Sequence, residues 1–566
     1  MTSQAIEKAR AFVEHEKAFR LGELLTESMH PKTLRLSQTM QADVQAGVWM
    51  LQSVDDDIPA ALERIFAQES FGRLVEALCQ AMRTGHRVYF TGCGATGRLS
   101  ILLEAAWREF FRQIEPASSG MADQCISVMA GGDFALIKAV EGFEDFPDFG
   151  RRQIKEAGVQ RDDVVVAITE GGETPFVIGT AWQGLDVGAH VFFVYNNPSD
   201  LLCRHVQRSR EVIEEPRIGK LDLATGPMAI TGSTRMQATT AELLVVGAAM
   251  EMALMRHVGQ AVPTIAQYRQ LFGGLLEQLS SPPAVVAIAR AVELEEAVYR
   301  GRGLVTYLVD SLMLDVLTDT TERSPTFMIP PFRRQGDASS PLSWAFVKDP
   351  CRETEQAWRQ MLQREPRGLT WGREVYRELN APPHIQASPP TLDNAEIYRF
   401  RIGNEPDPSR TDAPDSLLVG IMQNQESEIK NQNFKRTAAI TFGPTAELLD
   451  VDEHIHVPCD VPGSPLRLWE HLGIKLILNV LSTATMVRMG RVIGNAMVWV
   501  SPSNKKLIDR GCRLIVNQTG CTYERACEVL HEAMEDVAER TERGEEVPSP
   551  VAMAIERLQS GEENAQ

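Results

Sequence analysis

No pair of cysteines in this chain has the spacing of a metal site. The nine cysteines are scattered over 566 residues without a single CxxC, a usage that predicts reduced thiols rather than a disulfide framework. Long apolar runs are equally scarce. No stretch reaches the roughly 18 consecutive apolar residues of a membrane span, and the opening "MTSQAIEKARAFVEHEKAFRLG" is charged, with no apolar signal region. A cytoplasmic protein away from membranes is expected. Basic residues are also in short supply: 57 Lys and Arg stand against 76 Asp and Glu, a net charge of −19. That balance argues against a nucleic-acid surface, which needs clustered cations for phosphate contacts. It leaves room for a small, local pocket around a phosphorylated molecule.

What is present is the composition of an ordinary globular protein, 43% hydrophobic and 23% charged, in a chain too long for one core. Residues 1–70 read as a helical segment. From about residue 85, short apolar runs alternate with helical stretches: "HRVYFTG", "CISVMAGG", "DDVVVAIT" and "AHVFFVYNN". Such runs between amphipathic helices predict parallel strands with crossovers, and so an open α/β sheet. "STRMQATTAELLVVGAAMEMALMRHV" closes this unit, taken as 71–260. A second unit, 285–495, repeats the plan with strands expected at "GLVTYLV", "AEIYRFRI", "SLLVGIM" and "RTAAITFG" and a closing helix over 468–494. Pro-rich stretches between them are loops by composition, and 496–566 is a charged helical tail. Side by side the units look like a duplication; two unrelated α/β domains are the alternative.

The junction "TGCGATGRLS" (91–100) follows the first strand and opens a helix. Gly92, Gly94 and Gly97 let the backbone turn sharply and present N–H groups, Thr91, Thr96 and Ser100 add hydroxyls, and the helix brings its positive end to the same point. Ligands of open parallel sheets bind beyond the carboxyl ends of the strands. GxGxxG by itself also fits a dinucleotide site or a purely structural turn, but no acidic strand end follows at the interval of about twenty residues that a dinucleotide needs. Two further loops, "AITEGGETPFVIG" (167–179) and "AITGSTRMQATT" (229–240), are likewise rich in Gly, Ser and Thr. Thr169, Gly171, Gly172, Ser233 and Thr234 are the candidates there, with helix capping as the competing role of each hydroxyl.

Three motifs beside the glycine loop carry a resemblance: "AGGDFALIKAVEGFED" (130–145), "TGSTRMQATT" (231–240) and "STATMVRMGRVIGNAMV…SNKKL" (482–507). Together they make the chain similar to sugar-isomerase (SIS) domain proteins, and more narrowly to the N-acetylmuramic acid 6-phosphate etherases and the related glucokinase regulatory protein. The resemblance implies two tandem SIS-type domains, each a three-layer α/β/α sandwich around a parallel sheet, flanked by helical terminal segments. It implies a sugar-phosphate ligand and no cofactor or metal. For the etherases it implies a carbon–oxygen lyase that removes lactate by elimination: a base takes the C2 proton, an acid protonates the leaving oxygen, and water adds. Two carboxyls with separated pKa values can do this. The regulatory protein implies instead a non-catalytic sugar-phosphate sensor that controls a sugar kinase. An aldose–ketose isomerase is a third reading, less in keeping with the TGSTRM and VEGFED motifs.

The etherase glutamate after the glycine loop falls here on Ala106, and Glu104, two residues earlier, is rotated about 200° around the helix. The first unit therefore reads as a binding domain. In the second unit the glycines are gone, yet "DTTERSPTF" (319–327) resembles the family's DASECPPTF and puts Glu322 on that glutamate. Glu141, of "VEGFED", matches the second family glutamate. The expectation is one composite site per chain: phosphate and sugar held by the three glycine-rich loops, Glu141 and Glu322 as acid and base, and Lys506 as a charge partner. Two departures stand against an ordinary family site: Gln237 in place of a lysine, and Glu170 and Glu173 in a loop where the family has a serine.

Overall fold

The computed structural model describes residues 3–114, 120–140, 142–423, 433–446, 449–543 and 547–561. Residues up to Thr84 are helical or looped and lead into a five-stranded sheet: β1 (Val88–Gly92), β2 (Cys125–Met129), β3 (Val164–Thr169), β4 (His190–Tyr195) and β5 (Gly219–Asp222). All pairings are parallel and the order is β2-β1-β3-β4-β5. Every residue of β1 and β3 is buried, as in a parallel sheet covered on both faces, where apolar runs need not alternate.

The second sheet holds β6 (Val305–Leu308), β7 (Ala345–Lys348), β8 (Leu417–Gln423), β9 (Arg436–Gly443) and β10 (Glu453–Pro458), again all parallel, in the order β10-β9-β8-β6-β7. Counted within its own unit, each sheet has the same strand order, 2-1-3-4-5. The order 2-1-3-4-5 is common among doubly wound sheets, and its repetition with the same placement of helices agrees with the duplication reading. In each unit the first strand feeds a loop helix, Ala95–Ile114 in one and Met313–Phe327 in the other. Each unit ends in a 21-residue closing helix, Gln237–His257 and Leu468–Arg488. The two loop helices touch, the two closing helices touch, and one apolar core runs through both units.

Several elements differ from the sequence reading. "AEIYRFRI" is no strand: the Asp393 side chain accepts the Glu396 N–H and starts the short helix Asn394–Ile397, and buried Ile397 and Phe400 sit at helical spacing. Strands β5, β7 and β10 are absent from the sequence reading and all lie at sheet edges; β5 and β10 carry charged or polar residues in place of an apolar run, and the apolar run of β7 is only four residues long. Gln237–His257 is long and apolar enough by mean hydropathy to cross a membrane, although counting consecutive apolar residues passed over it; 94% of its apolar window is buried inside the protein, between the helices of the two units.

Candidate functional site

The glycine turn ends β1, and its glycines do different work. A Cβ on Gly92 would lie 2.4 Å from the Thr96 carbonyl carbon, and one on Gly97 would lie 2.5 Å from the Met129 side chain. Both are packing glycines that let the turn close on itself and on β2. Gly94, by contrast, has φ +57° with nothing within 4 Å of its would-be Cβ, and it faces a cleft. Thr96 is spent on the turn: its Oγ1 accepts the Cys93 N–H and donates to the Cys93 carbonyl, both at 3.0 Å.

The cleft encloses about 1140 Å³, open mouth included. From the first unit it is lined by Cys93, Gly94 and Arg98, by Glu144, by Glu170, and by Gly232 to Arg235. Glu322, Pro325 and Thr326 come from the second unit, and Asn504, Lys506 and Arg510 from the tail. Of the residues expected from sequence, Gly94, Ser233, Thr234, Glu322 and Lys506 thus border one space. Gly92, Thr96, Gly97, Thr169, Gly171 and Gly172 do not line it; Thr169 is bonded to Thr174 (Oγ1 to Oγ1, 2.9 Å). Glu141 lies outside the described residues, although Val140 and Gly142 on either side of it border the cleft.

The "TGSTR" loop is positioned from the second unit. Lys475 Nζ donates to the Arg235 carbonyl (3.0 Å) and Thr240 Oγ1 (2.9 Å), and Asn479 Nδ2 donates to the same Arg235 carbonyl (3.0 Å). The Arg235 guanidinium crosses over to Asp319 (3.2 Å), Ser482 and Thr483 (2.8 Å each). Gln237, where the family has lysine, instead braces the loop: its side chain accepts the Ala229 N–H at 2.9 Å and donates to the Pro227 carbonyl at 3.0 Å. The cleft's cations are all held by carboxylates. Arg510 grips Glu27 through Nε (3.0 Å) and Nη2 (2.6 Å), and its charge with that of Arg513 outweighs burial to bring Glu27 down to about 2. Lys506 reaches Glu173 at 3.3 Å.

Arg98 is the residue that sequence reasoning passed over. It is buried, and its Nη1 meets Glu322 Oε1 at 3.4 Å while Nη2 donates to the Leu136 carbonyl at 3.3 Å. It joins the first unit's loop helix to the second unit's carboxylate. The signal was available: an arginine in the first turn of a helix opposes the macrodipole unless an acid faces it.

Glu173 and Glu170, the two acids that seemed hostile to a phosphate, have separate fates. Glu173 is not on the cleft surface; Arg208 Nη2 donates to it at 2.5 Å, and with Lys506 the two cations overcome burial and keep its carboxyl below the ordinary range. Glu170 does face the cleft. Burial pushes it up to about 7; Lys506 opposes the rise, and the negative charges of Glu322 and Glu144 add to it. It is neutral on the acid side of that value and can then donate a hydrogen bond. Glu104, beside the missing glutamate at 106, points away from the cleft into a clamp. Its carboxylate accepts from Arg364 (3.0 Å), Arg367 (2.9 and 2.8 Å), Arg108 (2.8 Å) and Ser127 Oγ (2.6 Å), and despite burial it is held at about 2. Among the described residues no group of three or more metal-type ligands comes together.

A model of the glucokinase regulatory protein N-terminal SIS domain matches residues 71–184. The N-acetylmuramic acid 6-phosphate etherase of Mesorhizobium japonicum is 30% identical over 239 residues, 41% of this chain and 68% of the relative. That of Bacillus subtilis is 29% identical over 225 residues, 40% and 66% respectively. The chain thus spans about two thirds of the length of the curated relatives it matches. Among solved structures, tagatose-6-phosphate ketose/aldose isomerase from Escherichia coli overlays with a TM-score of 0.43 at 10% identity, covering 80% of this chain and 95% of that one, a likeness too slight to bear on the cleft. The alignments and the duplicated parallel sheets together make the chain a member of the SIS-domain family, on the branch of the N-acetylmuramic acid 6-phosphate etherases.

Proposed function

We propose that this chain binds a sugar phosphate in the composite cleft and acts there as an etherase-like carbon–oxygen lyase, removing lactate from N-acetylmuramic acid 6-phosphate or a near relative. The observation that carries the reading is the meeting of Glu322, from the second unit, with Gly94, Ser233 and Thr234, from the first, around one space. Gly94, Ser233, Thr234 and Lys506 hold the phosphate and sugar, and Glu170, when neutral, adds a hydrogen-bond donor where a carboxylate would repel. Glu322 and Glu141 are the acid and base. One takes the proton from C2 as the C2=C3 bond forms and the C3–O bond breaks; the other protonates the departing lactate oxygen. Water then adds across the double bond.

The test is incubation of the full chain with N-acetylmuramic acid 6-phosphate while lactate is measured. Glu322→Gln lowers release at least about 100-fold, within the range for loss of one acid–base group, and keeps sugar-phosphate binding. A second reading, a non-catalytic sensor controlling a sugar kinase, draws on the regulatory-protein match over 71–184. Tight hexose-phosphate binding with no lactate from the unaltered chain would select it and overturn the enzyme.

A further inference from the structure

A second concavity of about 840 Å³, mouth included, lies on the second unit beside the edge strand β7, away from the cleft. Its lining includes Arg333, Lys348, Arg401 and Arg410, with Phe346 on its apolar side. Lys348 and Arg410 are each only 2% exposed, and neither has a carboxylate of the described residues within ion-pair distance. Lys348 Nζ donates to the Glu405 carbonyl at 2.5 Å. Arg410 donates to Thr306 Oγ1 (2.7 Å) and to the carbonyls of Ser343 (2.9 Å) and Val305 (2.7 Å). These are neutral oxygens, and a guanidinium has five N–H donors of which three are used here.

The acids that line the same concavity are already engaged. Asp337 accepts from the N–H groups of Ser339 and Ser340 (3.0 Å each), and Asp407 from Ser409 Oγ (2.5 Å). Glu405 is turned to Thr354, accepting its N–H at 2.7 Å and its hydroxyl at 2.9 Å. Burying charge without a counter-charge is costly. Here burial lowers the pKa of Lys348, and Arg410 and Arg401 press it the same way against the opposing pull of Asp407 and Glu405. The lining carries five cations (Arg333, Arg334, Lys348, Arg401 and Arg410) against three acids (Asp337, Glu405 and Asp407), a local excess of positive charge in a protein whose overall charge is −19.

We propose that this concavity is a second anion site, taking a small dianion of the phosphate-ester class, independent of the composite cleft. Lys348 and Arg410 form its floor and supply donors that need no reorganisation; Arg333 and Arg401 close over the anion from the rim. The size of the concavity and the acidity of the surrounding chain argue against a nucleic-acid backbone.

The experiment is calorimetric titration of the full chain with inorganic phosphate and with glucose 6-phosphate at low salt. The unaltered chain binds two equivalents of anion. Ser233→Glu, which puts a charge into the cleft, leaves one. The double variant Arg333→Glu with Arg401→Glu, confined to exposed or half-buried positions, also leaves one, and its intact cleft binding certifies the fold. Lys348→Met weakens the same second event at least tenfold. A single equivalent that Ser233→Glu abolishes, or two equivalents unaffected by the double variant, would overturn the site; equal binding of succinate would overturn the phosphate class.

Discussion

The two units share a backbone turn and differ in what they put on it. At the end of β1, Gly94 takes φ +57° immediately before the loop helix; at the end of β6, Leu312 takes φ +59° immediately before the other loop helix. A left-handed leucine costs about 1–2 kcal/mol that a glycine avoids. In return Leu312 is buried in the core, where Gly94 leaves open space. Beside it Asp310 pairs with Arg352 at 2.7 Å, so the second turn is filled by side chains as the first turn is emptied of them. The turn is thus kept as a piece of fold in both units, while the glycine and the open space beside it are kept in the first alone. Glu322, for its part, stands on the helix that follows the filled turn.

The most forceful way to break this pairing is to cut the clamp between the units. Arg364, from the second unit, sits between Glu104 (3.0 Å) and Asp133 (2.5 Å), all buried. Arg364→Ala leaves Asp133 buried without its cation, a loss of about 3–5 kcal/mol for a broken buried pair. Urea denaturation should show it, and Arg364→Lys should recover only part, since lysine cannot fork to both carboxylates.

Next in size is an exchange of the two turns. Gly94→Leu gives the first unit the residue of the second. It adds backbone strain and fills the space facing Ser233 and Thr234, so hexose-phosphate affinity at the cleft should fall about 100-fold, near 2.7 kcal/mol, as measured by calorimetry. Unaltered affinity would mean that the ligand does not use this turn.

How much of this contrast could be read from the residues depended on the forces that made each element. Strands β1, β3 and β4 lie deep in a parallel sheet, and burial on both faces leaves an apolar run in the sequence; β5 and β10 are edges, and charged or polar residues interrupt theirs. The three glycine-rich loops were visible as loops, and Glu322 through its neighbours. Which side of a loop a residue faces was not visible. Thr96 and Thr169 turned inward because buried hydroxyls find partners within the turn, while Glu170, read as an intruder, faces the cleft. Arg98 and Arg235 lay inside motifs already singled out, and their roles depend on acids more than eighty residues away.

The smallest expected effect concerns Glu170. Its carboxyl is raised from 4.5 to about 7, by burial first and then, against Lys506, by its acidic neighbours. A raised folded-state pKa contributes stability that is whole below about 4.5 and is lost as pH rises through about 7. Ligand binding follows the same sign. A phosphate brought beside Glu170 disfavours its charged form further, so binding takes up a proton and affinity falls as pH climbs past 7. The drop from pH 6 to pH 8 should be about tenfold, near 1.4 kcal/mol, beyond the ligand's own titration. Glu170→Gln keeps a hydrogen-bond donor and removes the titrating group. The ligand's ionisation is common to both proteins, so it cancels when their pH profiles are compared. Calorimetry in buffers of different ionisation enthalpy should find proton uptake at pH 7 in the unaltered chain and less in the variant; identical uptake would place Glu170 outside the anion's reach.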